Sequence, residues 1–333
     1  MEKFFDRYSI DNCDDGGSPT SARLLKSFYL RLRHLPLMSS KDFFISRYAQ
    51  LGWEFKETQP RQAIRTNILN DREKNLEQRL ESTGIQLERI PFLETGYWVY
   101  NSKVSVGATA EYLLGLYSIQ EAAAQIPATL FTALRGKIVL DSCAAPGGKT
   151  VQLANFMNNT GAIIALDVKR KRLSALSNHL ERCHVTNTVV YLLDARYASQ
   201  LRLRFDRILI DAPCSGNFAT DSNWFTRRTM DDVERNAILQ REILAHAASC
   251  LSDDGEIVYS TCSMEPEENE LNMDWAMRNL SLKIQDINCY GQKGLTNVFG
   301  VQLDSSIEKC RRIWPGETQG FFVAKLGKKT GRL

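Results

Sequence analysis

KIVLDSCAAPGGKT, residues 137–150, is a short apolar run that ends on a carboxylate and passes directly into a turn of small residues before a helical pattern begins. Small residues there let a ligand come close to the backbone. The ending Gly148-Lys149-Thr150 imitates a phosphate-binding P-loop. That reading fails, because the first glycine of the motif would fall on Cys143 and Pro146 removes an N–H from any phosphate cradle.

Working outward, the same kind of unit repeats. KIVLD (137–141), AIIALD (162–167), VVYLL (189–193), RILID (207–211) and EIVYS (256–260) are short apolar runs with helical stretches between most of them. This alternation predicts a doubly wound parallel α/β sheet whose ligands sit beyond the carboxyl ends of its strands. Upstream the pattern differs. Residues 11–20 are polar and turn-prone, Ser21–Leu35 and Ser40–Gly52 read as helices, and Ala63–Leu69 reads as a strand. A helix from an Asp71 cap to Gly84 and extended runs at 85–90 and 97–100 complete a small α+β module. The expected organisation is a helical lead-in at 1–60, the module at 61–130 and the doubly wound domain at 131–333.

The chain has 333 residues, 43% hydrophobic and 24% charged, which suits one large globular domain and one smaller one. No run approaches the roughly 20 apolar residues of a membrane span, and residues 1–9 carry charges where a signal peptide needs an apolar run. A cytoplasmic protein with no membrane partner is expected. The eight cysteines (13, 143, 183, 214, 250, 262, 289 and 310) contain no CxxC and the four histidines do not cluster with them, so no metal site is expected. The net charge of +3 decides little, since nucleic-acid affinity depends on where the cations sit. Local clusters occur at Arg23, Lys26, Arg31 and Arg33, at Lys169–Arg172, at Arg227 and Arg228, and at Lys309, Arg311 and Arg312. Each fits an RNA-facing surface or an ordinary solvated one.

The polar residues gather at one end of the expected sheet. Asp141, Asp167, Asp194 and Asp211 stand at or just after strand ends, with Cys214 and Cys262 two or three residues further on. A carboxylate at the end of the second strand can accept from both hydroxyls of a ribose. Asp167 can equally prepare the helix that follows. A lone cysteine is usually an inert small hydrophobe. Two at equivalent strand ends, one beside an Asp-Ala-Pro turn, point to a reactive pair if the strands are neighbours. Cys13, Cys183, Cys250, Cys289 and Cys310 keep the inert reading.

The motifs DSCAAPGGKT (141–150), ALDVKRKRL (165–173), LLDA (192–195), ILIDAPCSG (208–216) and VYSTCSMEPEENE (258–270), in this order, resemble the Sun-type RNA cytosine-C5 methyltransferases, which act on tRNA or rRNA. The likeness extends through GLYSIQEAA (115–123) to GFFVAKL (320–326). It implies a Rossmann-like methyltransferase domain preceded by an RNA-recognition-like α+β module, whose first strand would be Ile64-Arg65-Thr66-Asn67. It also implies S-adenosyl-L-methionine as cofactor and RNA, tRNA or rRNA, as partner. The small size of the extra module favours tRNA over rRNA; the oligomeric state stays open, with a monomer as the expectation. By position, Cys143, Ala144, Ala145, Pro146, Gly147, Gly148 and Lys149 would hold the methionine end, Asp167 the ribose and Asp194 the adenine side, with Arg172 and Asp211 beside the cofactor. Breaking the ring conjugation of cytosine requires a thiolate at C6. In the resembled family the Thr-Cys motif supplies it, which selects Cys262; DNA enzymes use Pro-Cys, which would select Cys214. Cys214 then falls to product release and Asp211 to N3 of the base. Ser142, Asn217-Phe218-Ala219 and Gly316 depart from the family pattern. Two other classes stay open: a non-catalytic RNA-binding or assembly factor, and a methyltransferase of DNA or a small molecule. Intact Asp211, Cys214 and Cys262 weigh against the first, and the α+β module against the second.

Overall fold

The computed structural model describes residues 39–70 and 75–329. The stretch 11–20, the helix expected at 21–35, Cys13, the Asp71 cap and the cluster of Arg23, Lys26, Arg31 and Arg33 lie outside the described residues.

Helix α1 (Ser40–Gln50) starts where the Ser39 hydroxyl accepts the Asp42 N–H, an N-cap that satisfies one orphan donor. A four-stranded antiparallel sheet follows, built from β1 (Ala63–Thr66), β2 (Ile85–Arg89), β3 (Gly96–Ser102) and β4 (Tyr117–Ile119) in the order β2-β3-β1-β4. Helix α2 (Leu76–Ser82) packs Leu76 and Leu80 into its core beside Ile64, Ile85 and Tyr117. β1 closes at Thr66, three residues short of the expectation. There Asn67 turns its side-chain amide to the carbonyls of Gly115 and Cys183.

The large sheet begins with β5 (Ile138–Asp141), β6 (Ala162–Asp167), β7 (Thr188–Leu192), β8 (Phe205–Asp211) and β9 (Leu251–Thr261), all parallel, in the order β7-β6-β5-β8-β9. Alternate residues enter opposite cores. Leu140, Ile208, Ile210, Ile257 and Tyr259 face α5 (Met230–Cys250) and α6 (Glu270–Asn279), while Val139, Leu209 and Val258 face α3 (Gly148–Met157). Helix α4 (Arg170–Arg182) covers Ala165 on the α3 side. Burial on both faces is why these strands read as continuous apolar runs. The architecture is Rossmann-like, with the small sheet as an N-terminal module.

Beyond β9 the sheet turns antiparallel, which the sequence reading did not anticipate. β15 (Phe321–Lys328) pairs with β9; β10 (Leu282–Gln285) and β14 (Arg311–Ile313) pair with β15, and β11 (Gln292–Lys293) with β14. A small hairpin joins β12 (Asn297–Val298) to β13 (Val301–Gln302). Several of these strands have two or three residues, too few to show an alternation. Among the described residues no helix is long and apolar enough to cross a membrane.

α1 is locked to the large domain by charge. The Arg47 guanidinium is fully buried between Glu265 (3.0 Å) and Glu267 (2.9 Å), and the Tyr48 hydroxyl donates to Glu265 at 2.9 Å. Removing one partner of a buried ion pair leaves the other desolvated and unpaired. Arg47→Met should therefore lower stability by about 3–5 kcal/mol in urea unfolding. A loss under about 1 kcal/mol would mean that Glu265 and Glu267 find other partners.

Candidate active site

The strand order reverses between β5 and β8, and a doubly wound sheet opens its ligand crevice at that point. Asp141 and Asp211 end these two strands. Just beyond them Ser142 donates both its N–H and its hydroxyl to the Leu209 carbonyl, each at 3.0 Å, tying the turn to β8. The turn enters α3 through Gly147, held at φ +104°, where a Cβ would come within 2.8 Å of Leu176 on α4. Only glycine meets both demands. Arg65 of β1 donates to the Gly148 carbonyl at 2.8 Å, and His179 bridges the Pro146 carbonyl (3.2 Å) and the Ser118 hydroxyl (2.9 Å). The N-terminal module thus holds the turn directly and through α4. Burial, then the Arg182 charge, push His179 down to about 4, so it is neutral at physiological pH.

The four strand-end carboxylates are all engaged. Asp141 accepts the Thr150 hydroxyl at 2.7 Å. Asp211 accepts Lys149 Nζ at 2.7 Å on one oxygen and the Ser260 hydroxyl at 2.9 Å on the other. Asp167 accepts the Lys169 N–H at 2.9 Å and pairs with Arg172 at 3.1 Å, while Arg172 also reaches the Ala145 carbonyl. Asp167 thus stands beside the start of α4 without capping it, since the N-cap is Lys169, and lone pairs remain for a ligand. Asp194 is held low chiefly by hydrogen bonds from Arg196. Burial first, opposed by the Ser142 hydroxyl, pushes the Cys143 thiol up to about 12, and Asp141, Asp211 and Asp167 push the same way. Cys143 is a neutral thiol, and two of the three carboxyl groups that act on it, Asp211 and Asp167, are already paired with Lys149 and Arg172.

β8 and β9 are neighbours, in a register that sets Asp211 opposite Ser260. The turns that follow bring Cys214 Sγ within 3.2 Å of Cys262 Sγ. The hydrogen bond with Cys262, then burial, raise the Cys214 thiol well above its ordinary value. Asn217 fixes the other side, donating to the carbonyls of Cys262 (2.8 Å) and Gly320 (3.1 Å). The family resemblance had put Lys149 near a cofactor without its link to Asp211, had marked Asn217 only as a departure from the pattern, and had given no role to Ser260, His179 or Glu268. Cys183, Cys250 and Cys310 are buried apart from the pair. Arg312 departs from both readings of its cluster: it is buried, paired with Glu270 and donating to the Met264 carbonyl at 2.7 Å. Among the described residues no His/Cys/Asp/Glu group is arranged to hold a metal ion.

A family model described as 16S rRNA methyltransferase RsmB/F matches residues 128–327. The chain belongs to this family. A second model, the N-terminal domain of 16S rRNA methyltransferase RsmF, matches residues 39–122. One relative, the human 28S rRNA (cytosine(4447)-C(5))-methyltransferase, is 36% identical over 80% of this chain, which spans only 34% of that protein's length. The tRNA (cytosine(49)-C(5))-methyltransferase of Pyrococcus abyssi is 32% identical over 85% of this chain and 95% of its own length. A crystal structure titled as a methyltransferase homolog protein from Pyrococcus horikoshii superposes with a TM-score of 0.78. It is 36% identical and covers 93% of this chain and all of that one.

In this RsmB/F domain, burial raises the Asp141 carboxyl from its ordinary 3.8 to about 7. A raised carboxyl pKa means the folded state holds the proton more tightly than the unfolded chain. Its contribution to stability is thus full below 3.8 and lost as pH rises to about 7. Asp141→Asn removes that titration and should make the fall in Tm across this window shallower; an unchanged slope would mean that Asp141 does not titrate there.

Proposed function

We propose that this protein is an S-adenosyl-L-methionine-dependent RNA cytosine-C5 methyltransferase, forming 5-methylcytosine through a covalent adduct between Cys262 and C6 of the base. The observation that carries the reading is the 3.2 Å contact between Cys262 and Cys214 at adjacent parallel strand ends, where Asp211 ends one strand and bonds to Lys149.

The donor set fits the cofactor. The carboxylates of Asp211 and Asp167, each held by one cation of the chain, suit a molecule that carries a sulfonium and an ammonium, Asp167 has acceptor capacity for ribose hydroxyls, and Asp194 stands just beyond the next strand end for the adenine side. When bound, S-adenosyl-L-methionine supplies an electrophilic methyl group on that sulfonium. Everything else falls to the chain. Cys262, as thiolate, adds to C6 and breaks the ring conjugation, so that C5 becomes an enamine-like carbon able to take the methyl group. Asp211 is the group whose carboxyl would stabilise the addition at N3, and Lys149, bonded to it at 2.7 Å, fixes where that carboxyl stands. Cys214 or a water removes the C5 proton, the C5–C6 double bond re-forms and Cys262 leaves. The exposed cations Lys169, Arg170 and Lys171 at the start of α4 offer contacts to the RNA backbone.

Within RNA the reading favours tRNA. The relative matched along 95% of its own length is named as a tRNA enzyme, whereas the human rRNA enzyme is nearly three times as long as the matched part. Equal transcripts as RNA and DNA, with tRNA and rRNA arms and bisulfite readout, test this assignment; methylation of DNA alone would overturn it.

Three substitutions test the residue roles. Asp167→Ala should weaken S-adenosyl-L-methionine binding by about 1–3 kcal/mol in calorimetry, the scale of hydrogen bonds to a charged group; unchanged affinity would remove Asp167 from the cofactor site. Cys262→Ala should form no adduct and lose activity by orders of magnitude. Cys214→Ala should attack and methylate, then stall as a protein–RNA adduct that survives a denaturing gel. The reverse pattern would exchange the two roles.

A further inference from the structure

The run Glu265-Pro-Glu-Glu-Asn-Glu270 directly follows the Cys262 turn and is buried, not solvated. Three of its four carboxylates meet arginines: Glu265 and Glu267 meet Arg47, and Glu270 meets Arg312. Glu268, fully buried, instead accepts from neutral donors. The Ser215 N–H reaches its two oxygens at 3.3 and 3.0 Å, the Ser263 hydroxyl reaches Oε1 at 3.0 Å, and Gln240 Nε2 reaches Oε2 at 2.8 Å. Ser215 and Ser263 are the residues immediately after Cys214 and Cys262, and their hydroxyls lie 3.0 Å apart. Gln240 also donates to the Pro213 carbonyl at 2.9 Å, on the other side of Cys214. One carboxyl therefore spans both cysteine turns and ties them to α5, yet the chemistry above gives it no task.

We propose that Glu268 is a positioning residue for the thiol pair: it fixes the separation of the two cysteine turns, and its negative charge biases the proton shared by the pair toward Cys214. The inference rests on the catalytic reading of that pair. The titratable and charged groups facing Glu268 are Cys214 from the turn after β8, Tyr259 from β9, whose hydroxyl donates to the Glu268 carbonyl at 2.6 Å, and Arg241 from α5 beyond Tyr259. Burial raises the Glu268 carboxyl to about 7, against the bonds from Ser215, Gln240 and Ser263, so it is ionised throughout the higher range where Cys214 titrates. A like charge that close disfavours a Cys214 thiolate.

Glu268→Gln separates position from charge. Its amide oxygen at the Oε2 place can accept from Ser215 and Gln240, and its NH2 can donate to the Ser263 hydroxyl, which is free to reverse. Glu268→Asp keeps the charge and shortens the reach. The experiment follows iodoacetamide alkylation of Cys214 against pH in a Cys262→Ser background, resolved by peptide mass spectrometry, with methylation kinetics of the same Glu268 variants in the otherwise unaltered protein. Glu268→Gln should move the Cys214 midpoint down by about one pH unit, the scale of one nearby charge, and shift the pH profile of methylation. Glu268→Asp should leave the midpoint near its starting value and lower kcat with little change in KM. A midpoint that Glu268→Gln does not move, or a kcat that Glu268→Asp leaves intact, overturns the inference. The alkylation needs no RNA, so a midpoint that moves in a protein unable to methylate any RNA would instead sink the proposed reaction.

Discussion

Parallel pairing of β8 with β9, in the register that sets Asp211 opposite Ser260, is the constraint on which the site depends. Slipping β9 by one residue against β8 would turn Ile257 and Tyr259 out of one core and into the other, so burial on both faces fixes the register. Once it is fixed, the equivalent ends of the two strands lie side by side. Two turns of similar length then suffice to bring the thiols of Cys214 and Cys262 to 3.2 Å. The same register delivers Ser260 to Asp211, and Asp211 to Lys149 on the helix across the switch point.

The turns themselves are held by polar groups taken out of water. Glu265, Glu268 and Glu270 are fully buried, and each keeps its place because donors meet it from distant parts of the chain: Arg47 and Tyr48 from α1, Ser215 and Gln240 from around α5, Arg312 from β14. A buried carboxylate without such partners would cost several kcal/mol. The segment after Cys262 can adopt its shape only when the N-terminal helix and the antiparallel extension are both in place. Chain far from the strand ends is thereby made part of the site.

Much of this was legible. The five parallel strands appear in the sequence as apolar runs because both faces are buried, and the strand-end carboxylates and cysteines follow from their positions after those runs. What stayed hidden has a physical cause in each case. β14 and β11 are too short for a period to show, and Lys149 gives no sign in sequence of which carboxylate it meets across 62 positions. The acidic run at 265–270 depends on cations more than 40 positions away, so local sequence cannot tell its burial from a solvated face. Arg312 was misread for the same reason, as one member of a basic cluster when its partner is Glu270.

The two thiols sit too close to act alike. In the free site the largest influence raising the Cys214 thiol is its hydrogen bond with Cys262. In the proposed reaction that sulfur is spent on C6 of the base, and a thioether is a poor partner for an S–H donor. The influence that kept Cys214 protonated is thus withdrawn at the step when a base is needed for the C5 proton. Burial and the Glu268 charge still oppose a free thiolate, so Cys214 can serve only as a relay that passes its own proton to the departing Cys262 sulfur as it takes the one from C5, which restores the original contact. An arrangement of this kind needs no histidine: proximity makes each sulfur the switch for the other.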